Sequence, residues 1–522
     1  MAEILRPFVV NVSKPRRFAQ RLHPASSITR MQRSNRKSRE QTEESLGRTR
    51  ATDLPGGNGH PVRRFDDRFP KNPRIALLTP YTGGNLGDAA IQDAVVVNLR
   101  CRLPGVQFSG ITLNCQNFIE QHGTAAFPLV GTGIPFFQME IKWTPPGEGL
   151  NDRSVRYRRV RNVLRHLPGA RRIKQYLKKG RNRLRTIQSE IRHWVKGYRF
   201  LRSHDLLLYS GGGQLDDNYG GPWGLPFSLC KWALLARLAG VPCAMASVGV
   251  GIINSGTSRK LISIALRLCC YRSFREMRSR AAAGILFYRA SNDNVVPDLA
   301  LSLPDSELPQ SARFIRTMAG GRPVVALSPM AFAKPVNWPA PDRALHDRYL
   351  LETARVLAGL CERGYFVVIA CSSRGDDESV IPDIMEHLDD DTKTRLHSQI
   401  HFPKIAEWRE LISVLRASDY LIASRLHGAI FGFITQTPVI AISFASKVDW
   451  VLEYLHQSDY RLDIRDFTAE DVLKILDLIQ GSRAAVVKQI ESCRRGILSN
   501  SSFTQQYDLL AGLALDHCQS RI

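Results

Sequence analysis

Nowhere in the 522-residue chain do about 18 apolar residues run together. That excludes a membrane-spanning helix. The ten cysteines include no CxxC pair, only the vicinal Cys269-Cys270. Zinc-ribbon and dithiol-redox readings need such pairs; scattered thiols predict reduced, mostly buried cysteines in a cytosolic protein. No apolar h-region with a cleavage site follows the first residues, so no secretory signal is expected. Acidic residues are scarce: 48 Asp and Glu stand against 72 Lys and Arg, a formal net charge of +24. The deficit is local. Residues 1–70 hold 15 Lys/Arg and 7 Asp/Glu, and residues 151–203 hold 18 and 2. These two segments account for the whole excess, so the basicity does not belong to the folded body.

What is present is a globular composition, 43% hydrophobic, with room for a large core. Residues 1–70 mix Arg, Ser, Gln, Pro and Gly and are expected to form a disordered basic tail. A mitochondrial-type address is the lesser alternative, and Glu40, Glu43 and Glu44 weigh against it. From Arg74 onward short apolar strands alternate with helices: "RIALLTP", "VQFSGITL", "HDLLLYSGGGQL", "VPCAMASVGV" and "NVVPDLALSL", then "RPVVALSPM", "YFVVIACSS", "YLIAS" and "PVIAIS". The pattern predicts an α/β protein of two Rossmann-like domains facing a cleft, each a parallel sheet with helices on both faces. The expected boundaries are an N-terminal domain at 71–305 with a basic helical insertion at 151–203, a C-terminal domain at 306–500, and a C-terminal tail at 501–522. Ligands of such sheets sit beyond the carboxyl ends of the strands. "GGNLGD", "SGGG", "CSSRGDD" and "SRLHG" all fall there.

"GGNLGD", Gly83 to Asp88, makes a tight turn and exposes N–H groups at a helix N-terminus, which suits an anion or a hydroxyl-rich ligand. Asp88 reads equally as a helix N-cap. "SGGGQLDDN" offers similar exposed backbone. Asp216 and Asp217 beyond it read first as solvated loop carboxylates, as do Asp376, Asp377 and Glu378. No ligand spacing demands a metal. In "SRLHG" the strand is expected to end near Ser424 and the helix to begin near Gly428, so Arg425 and His427 project from one turn at the positive end of a helix dipole. Buried charge is costly without a partner. A bound anion would satisfy both groups; a structural ion pair is the alternative. Lys447, just past the next strand, adds a cation to the same rim.

"GGNLGDAAI", "SGGGQL", "YRSFREMRS", "VVPDLAL" and above all "SRLHGAIFGFITQTPVIAISFASK", in this order, resemble the polysaccharide pyruvyl transferase family over roughly residues 74–460. The resemblance implies a GT-B-like fold and transfer of the enolpyruvyl unit of phosphoenolpyruvate onto two saccharide hydroxyls as a cyclic ketal, in exopolysaccharide or cell-surface polysaccharide biosynthesis. It implies no cofactor, since phosphoenolpyruvate is the donor substrate. Arg425 would hold the donor and Arg275 of "SFRE" would be a second clamp, because two-pronged guanidiniums suit carboxylate and phosphate. Lys447, Asn85, Gly212 and Gly213 complete the expected substrate contacts. His427 is the expected acid for the vinyl carbon, and Asp88 the expected base for the acceptor. In one departure, Glu276 follows Arg275 where the family has aspartate. Two other classes are a GT-B glycosyltransferase using a nucleotide sugar and a non-enzymatic membrane or nucleic-acid adaptor. Binding of phosphoenolpyruvate rather than a nucleotide separates the first. The second leaves charged residues at four strand ends of a neutral body unexplained.

From Ile173 the insertion places apolar residues at Tyr176, Leu177, Leu184, Ile187, Ile191, Trp194, Val195 and Tyr198, with Lys and Arg on the other faces. These steps of three and four predict a basic helix with an aromatic-rich stripe. Such a helix either lies on an anionic membrane surface or docks by its stripe on its own domain. Lipid-linked acceptors, common in the family, give the first version a setting: a cytoplasmic protein, peripheral at the inner face of the cell membrane. No nucleic-acid partner is expected.

Overall fold

The computed structural model describes residues 72–131, 170–218, 220–286, 293–335, 338 and 340–521, with backbone alone over 170–185 and at 391, 395 and 396. The expected tail at 1–70 and the first part of the insertion, 151–169, lie outside the described residues.

The N-terminal half runs β1 (Arg74–Thr79), α1 (Leu86–Arg102), β2 (Gln107–Thr112), α2 (Cys115–His122), β3 (Ala126–Pro128), α3 (Ala170–Leu201), β4 (Leu206–Tyr209), β5 (Gly212–Leu215), α4 (Leu225–Ala239), β6 (Cys243–Val250), α5 (Gly256–Leu268), β7 (Tyr271–Phe274), α6 (Met277–Leu286) and β8 (Asn294–Val295). The C-terminal half runs α7 (Arg313–Ala319), β9 (Val324–Ser328), α8 (Arg343–Glu362), β10 (Phe366–Ile369), α9 (Ile381–Glu386), α10 (Asp390–Leu396), β11 (Ile400–His401), α11 (Trp408–Arg416), β12 (Tyr420–Ala423), α12 (Leu426–Ile434), β13 (Val439–Ser443), α13 (Ser446–Tyr454), β14 (Arg461–Asp463), α14 (Ala469–Gly481) and α15 (Arg483–Ser499). A last helix, α16 (Ser501–Ser520), follows.

The first sheet has the order β3-β2-β1-β4-β6-β7-β8, with β5 beside β6; the second is β11-β10-β9-β12-β13-β14. Every pairing is parallel. Each sheet therefore reverses its order once, beside β1 and beside β9, as in the Rossmann fold. Strands β4, β9, β10, β12 and β13 are buried at every residue. Helices cover both faces, which is why these strands read as unbroken apolar runs and not as alternations. All ten cysteines are free thiols, six of them buried. Among the described residues no helix is long and apolar enough to cross a membrane.

The expected C-terminal tail is instead α16, and it belongs to the first domain. Phe503, Tyr507, Leu510 and Ala514 are buried, on a helix lying against α1, β1 and β4. Tyr507 Oη meets Ser302 Oγ at 3.0 Å, and Tyr271 Oη donates to Gln506 Oε1 at 3.1 Å. Burial drives this return: each large apolar side chain removed from water contributes about 1.5–3 kcal/mol.

The halves meet at the carboxyl ends of their strands. Leu86 N–H donates to Ser372 O at 3.1 Å and Arg374 N–H to Gly84 O at 2.8 Å, so the "GGNLGD" loop pairs strand-like with the "CSSRGDD" loop. Beside this bridge, Trp408 Nε1 and Arg409 Nη1 both donate to Asp93 Oδ2 of α1 at 2.8 Å.

Candidate active site

The arginine and histidine of "SRLHG" interrupt core for two different reasons. α12 starts at Leu426, earlier than the sequence indicated, and of its nine residues only His427 is not buried. Arg425 takes the N-cap position with extended backbone (φ −101°) and turns toward the loop after β10. There the fully buried Asp377 receives both prongs: Nε donates to Oδ2 and Nη2 to Oδ1, each at 2.6 Å. Two expectations are corrected. Asp377 is not a solvated loop carboxylate, and Arg425 does not depend on a bound anion for its countercharge. A carboxylate with no exposed surface requires such a pair, because desolvating it alone costs several kcal/mol. Arg425 still keeps 24% of its side chain exposed.

His427 lies over the first turn of α1. A Cβ at position 87 would sit 1.9 Å from His427 Cγ, so only glycine admits the ring there. His427 Nε2 faces Asp298 Oδ2 at 3.8 Å, and neither atom has a hydrogen-bond partner among the described residues. The other oxygen of Asp298 caps the short 3-10 turn Leu299–Ser302, accepting from Ala300 N–H at 3.1 Å. Burial would raise this carboxyl's pKa, but His427, Arg275 and the Ala300 N–H outweigh it and hold it below its ordinary value. Arg275 Nη1 reaches the same Oδ2 at 3.7 Å. Its Nε donates to Glu276 Oε2 at 2.9 Å, and Ser279 Oγ donates to the other Glu276 oxygen. The longer glutamate thus folds back and orients the guanidinium beside it. Position 249 gives Arg275 its room, since a Cβ there would lie 2.6 Å from Nε.

Two further carboxyls flank the cleft. Asp88 is not the N-cap of α1; Asn85 is, its Oδ1 accepting from the Gly87 and Asp88 N–H groups at 3.0 and 3.4 Å. Asp88 sits in the first turn with its pKa raised by burial, an effect that His427 opposes and Asp298 reinforces. Asp216 and Asp217, adjacent in sequence, have separate fates. Asp217 accepts from Asn254 N–H at 3.0 Å and Ser255 N–H at 2.9 Å at the start of α5. Asp216 stays partly buried with no hydrogen-bond partner for Oδ1 among the described residues, and burial pushes its pKa up to about 6. Lys447, in the first turn of α13, feels both Asp216 and Asp88. Burial and the charges of Arg275 and Arg425 still lower its pKa to about 8.

The family model for polysaccharide pyruvyl transferases matches residues 85–446, from the cap of α1 to the start of α13. The chain belongs to the polysaccharide pyruvyl transferase family. No individually curated protein matches the sequence. Among solved structures, Anabaena HepE in complex with UDP is 10% identical, with 86% of this chain and 99% of that one covered and a TM-score of 0.48. Staphylococcus aureus MnaA with UDP is 8% identical over 84% and 94% of the two chains, TM-score 0.46. Escherichia coli ADP-heptose lipopolysaccharide heptosyltransferase II is 14% identical over 80% and 99%, TM-score 0.39.

In this pyruvyl transferase family member the expected residues separate into those the cleft gathers and those the scaffold uses. Asp88 feels the charges of His427, Lys447 and Arg275, and Lys447 those of Arg275, Arg425 and Asp88. Asn85 spends its side chain on the α1 cap and bridges through its backbone to Ser373. Gly212 opens β5, where a Cβ would lie 3.6 Å from Asp88 Oδ1; Gly213 is exposed, with open space beside it. Sequence reasoning passed over Asp298 and took Asp216 and Asp377 for solvated loop carboxylates. Asp298 had left a signal, a carboxylate three residues past β8 in the apolar stretch "VVPDLAL". What the family member assembles is an imidazole and three cations interleaved with carboxylates.

Proposed function

We propose that the protein transfers the enolpyruvyl unit of phosphoenolpyruvate onto two hydroxyls of a saccharide, forming a cyclic pyruvate ketal. The observation that carries the reading is the shared carboxylate: Asp298 Oδ2 lies 3.8 Å from His427 Nε2 and 3.7 Å from Arg275 Nη1. One acid thereby ties a proton-transfer group of one half to an anion-binding group of the other.

In this scheme Arg275, Lys447 and the exposed edge of Arg425 receive the donor's carboxylate and phosphate, each guanidinium already oriented by an acid. His427, its Nε2 directed by Asp298, protonates the vinyl CH2 carbon, which becomes the ketal methyl, and the neighbouring carbon turns electrophilic. The first acceptor hydroxyl adds to that carbon. The second displaces inorganic phosphate and closes the ring. Two hydroxyl protons are released; one replaces the proton His427 gave, and the other leaves with phosphate. Asp216, pushed up to about 6 by burial, suits their removal near neutral pH, and Asp88, shifted in the same direction by burial, is the second proton acceptor. The acceptor in this reading is a saccharide of polysaccharide biosynthesis, carried on lipid and met at the inner face of the cell membrane.

Incubation with phosphoenolpyruvate and lipid-linked or free saccharides tests this by mass spectrometry and phosphate release. The expected outcome is a pyruvyl mass increment matched by an equal amount of phosphate. Turnover of a nucleotide sugar without any pyruvyl product would overturn the proposal.

A further inference from the structure

The apolar stripe of the basic insertion splits in two. One part docks α3 on its own domain. Leu201 is buried in the core, Trp194 and Tyr198 pack against the same cluster, and Gly197 lies against Trp232 and Leu235. His193 Nε2 contacts Pro128 O at 2.8 Å, and Lys231 Nζ donates to Glu190 Oε1 at 2.8 Å. Trp194, whose Nε1 donates to Glu190 at 3.1 Å, therefore belongs to the docked face.

The neighbouring face is uncovered among the described residues. Ile187, Ile191 and Val195, at four-residue spacing, are 55%, 58% and 47% exposed. Beyond them around the helix come Arg192, Lys196 and Arg199, all exposed. Residues four apart share a helix face, so the surface reads as docked face, apolar line, basic face. Positions 173, 177 and 184 have the phase of that apolar line, and the sequence has Ile, Leu and Leu there. The 32-residue helix carries eleven Lys/Arg against the single Glu190, whose charge Lys231 already meets.

We propose that this face of α3 seats the protein on an anionic lipid bilayer. Ile187, Ile191 and Val195 enter the boundary between headgroups and acyl chains, and Arg192, Lys196 and Arg199 meet lipid phosphates. Charge selects the bilayer over a second copy of the chain, because a two-fold contact through this face would oppose two strongly basic surfaces. The placement gives the lipid-linked acceptor of the proposed function a surface, but the face itself is read independently of the chemistry.

The test is co-sedimentation of the full-length protein with phosphatidylcholine vesicles, with and without phosphatidylglycerol, at low and high salt. Wild type is expected to pellet with the anionic vesicles, less at high salt but still measurably, since screening leaves the apolar contribution intact. Residues 1–70, with 15 Lys/Arg, add attachment that salt removes, so the high-salt arm decides. The triple variant Ile187→Ser, Ile191→Ser, Val195→Ser should lose about tenfold or more of the high-salt bound fraction with an unchanged thermal midpoint. The proposal falls if wild type stays in the supernatant with anionic vesicles, or if the triple variant pellets like wild type at high salt. Self-association that the triple variant abolishes, without vesicle binding, would assign the face to a second copy instead. Pyruvyl transfer onto a water-soluble saccharide should be equal in both proteins. Its absence from both would count against the proposed chemistry and leave the vesicle result standing.

Discussion

Position 87 and the ring of His427 are so close that a Cβ on the one would sit 1.9 Å from Cγ of the other. The first turn of α1 and the first turn of α12 thus fix the imidazole from opposite domains. Gly87→Ala should push the ring out of line with Asp298. A misplacement of about 1 Å at a reacting group costs about 10²-fold, so kcat should fall by that order, and overpacking should lower stability by about 1–3 kcal/mol. Phosphate-release kinetics and urea denaturation measure the two effects. An undiminished kcat would remove His427 from the chemistry.

His427→Ala should lower kcat by about 10²- to 10⁴-fold, the usual worth of general acid catalysis, with little change in thermal midpoint. Asp298→Asn should act on two quantities at once, lowering kcat through His427 and raising the donor's KM through Arg275. A change confined to stability would make Asp298 only the cap of its 3-10 turn.

The Arg425–Asp377 pair calls for opposite substitutions. Arg425→Lys keeps the charge but loses the fork, so the donor's KM should rise with the acceptor's little changed. Asp377→Ala leaves the guanidinium without its buried partner and should cost about 3–5 kcal/mol in urea denaturation. A rise in the acceptor's KM on Arg425→Lys would place this arginine on the other side of the cleft.

Activity should be bell-shaped in pH. In the proposed scheme Asp216 takes a proton only when ionised, so kcat/KM should fall as pH drops through about 6. In the same scheme Lys447 holds the donor only when charged, so binding should weaken as pH rises through about 8. Asp216→Asn should abolish the acid limb contributed by this carboxyl. It should also move the alkaline limb to lower pH, because Asp216 is one of the charges sustaining the Lys447 ammonium. An alkaline limb unmoved by this substitution would separate the two groups.

Tyr507→Ala, far from the cleft, should destabilise the N-terminal half by about 3–5 kcal/mol, since the ring is fully buried and its hydroxyl meets Ser302. Ending the chain after Asn500 should leave no soluble folded protein. A truncated protein with a wild-type melting curve would make α16 dispensable.

The sequence by itself determined the two parallel sheets, the order of their strands along the chain and the four loops at their carboxyl ends. Those features are encoded locally, in apolar runs of strand length, helical periodicity and glycine-rich turns. It also singled out Arg425, His427, Asp88 and Lys447, because charged side chains at the ends of buried strands stand out against the surrounding core, whereas Arg275 came only with the family resemblance. Tertiary structure alone decided the partner of each charge. Asp377 lies 48 residues from Arg425, and nothing in "RGDDES" distinguishes it from Asp376 until the crossover from β10 carries it under α12. Asp216 and Asp217 differ only because one loop places Asp217 over the start of α5 and leaves its neighbour facing the cleft. α16 and the divided stripe of α3 follow the same rule. Which face of an amphipathic helix is covered depends on what the strand order brings against it, and desolvation and Coulomb energies exist only at the distances that packing sets.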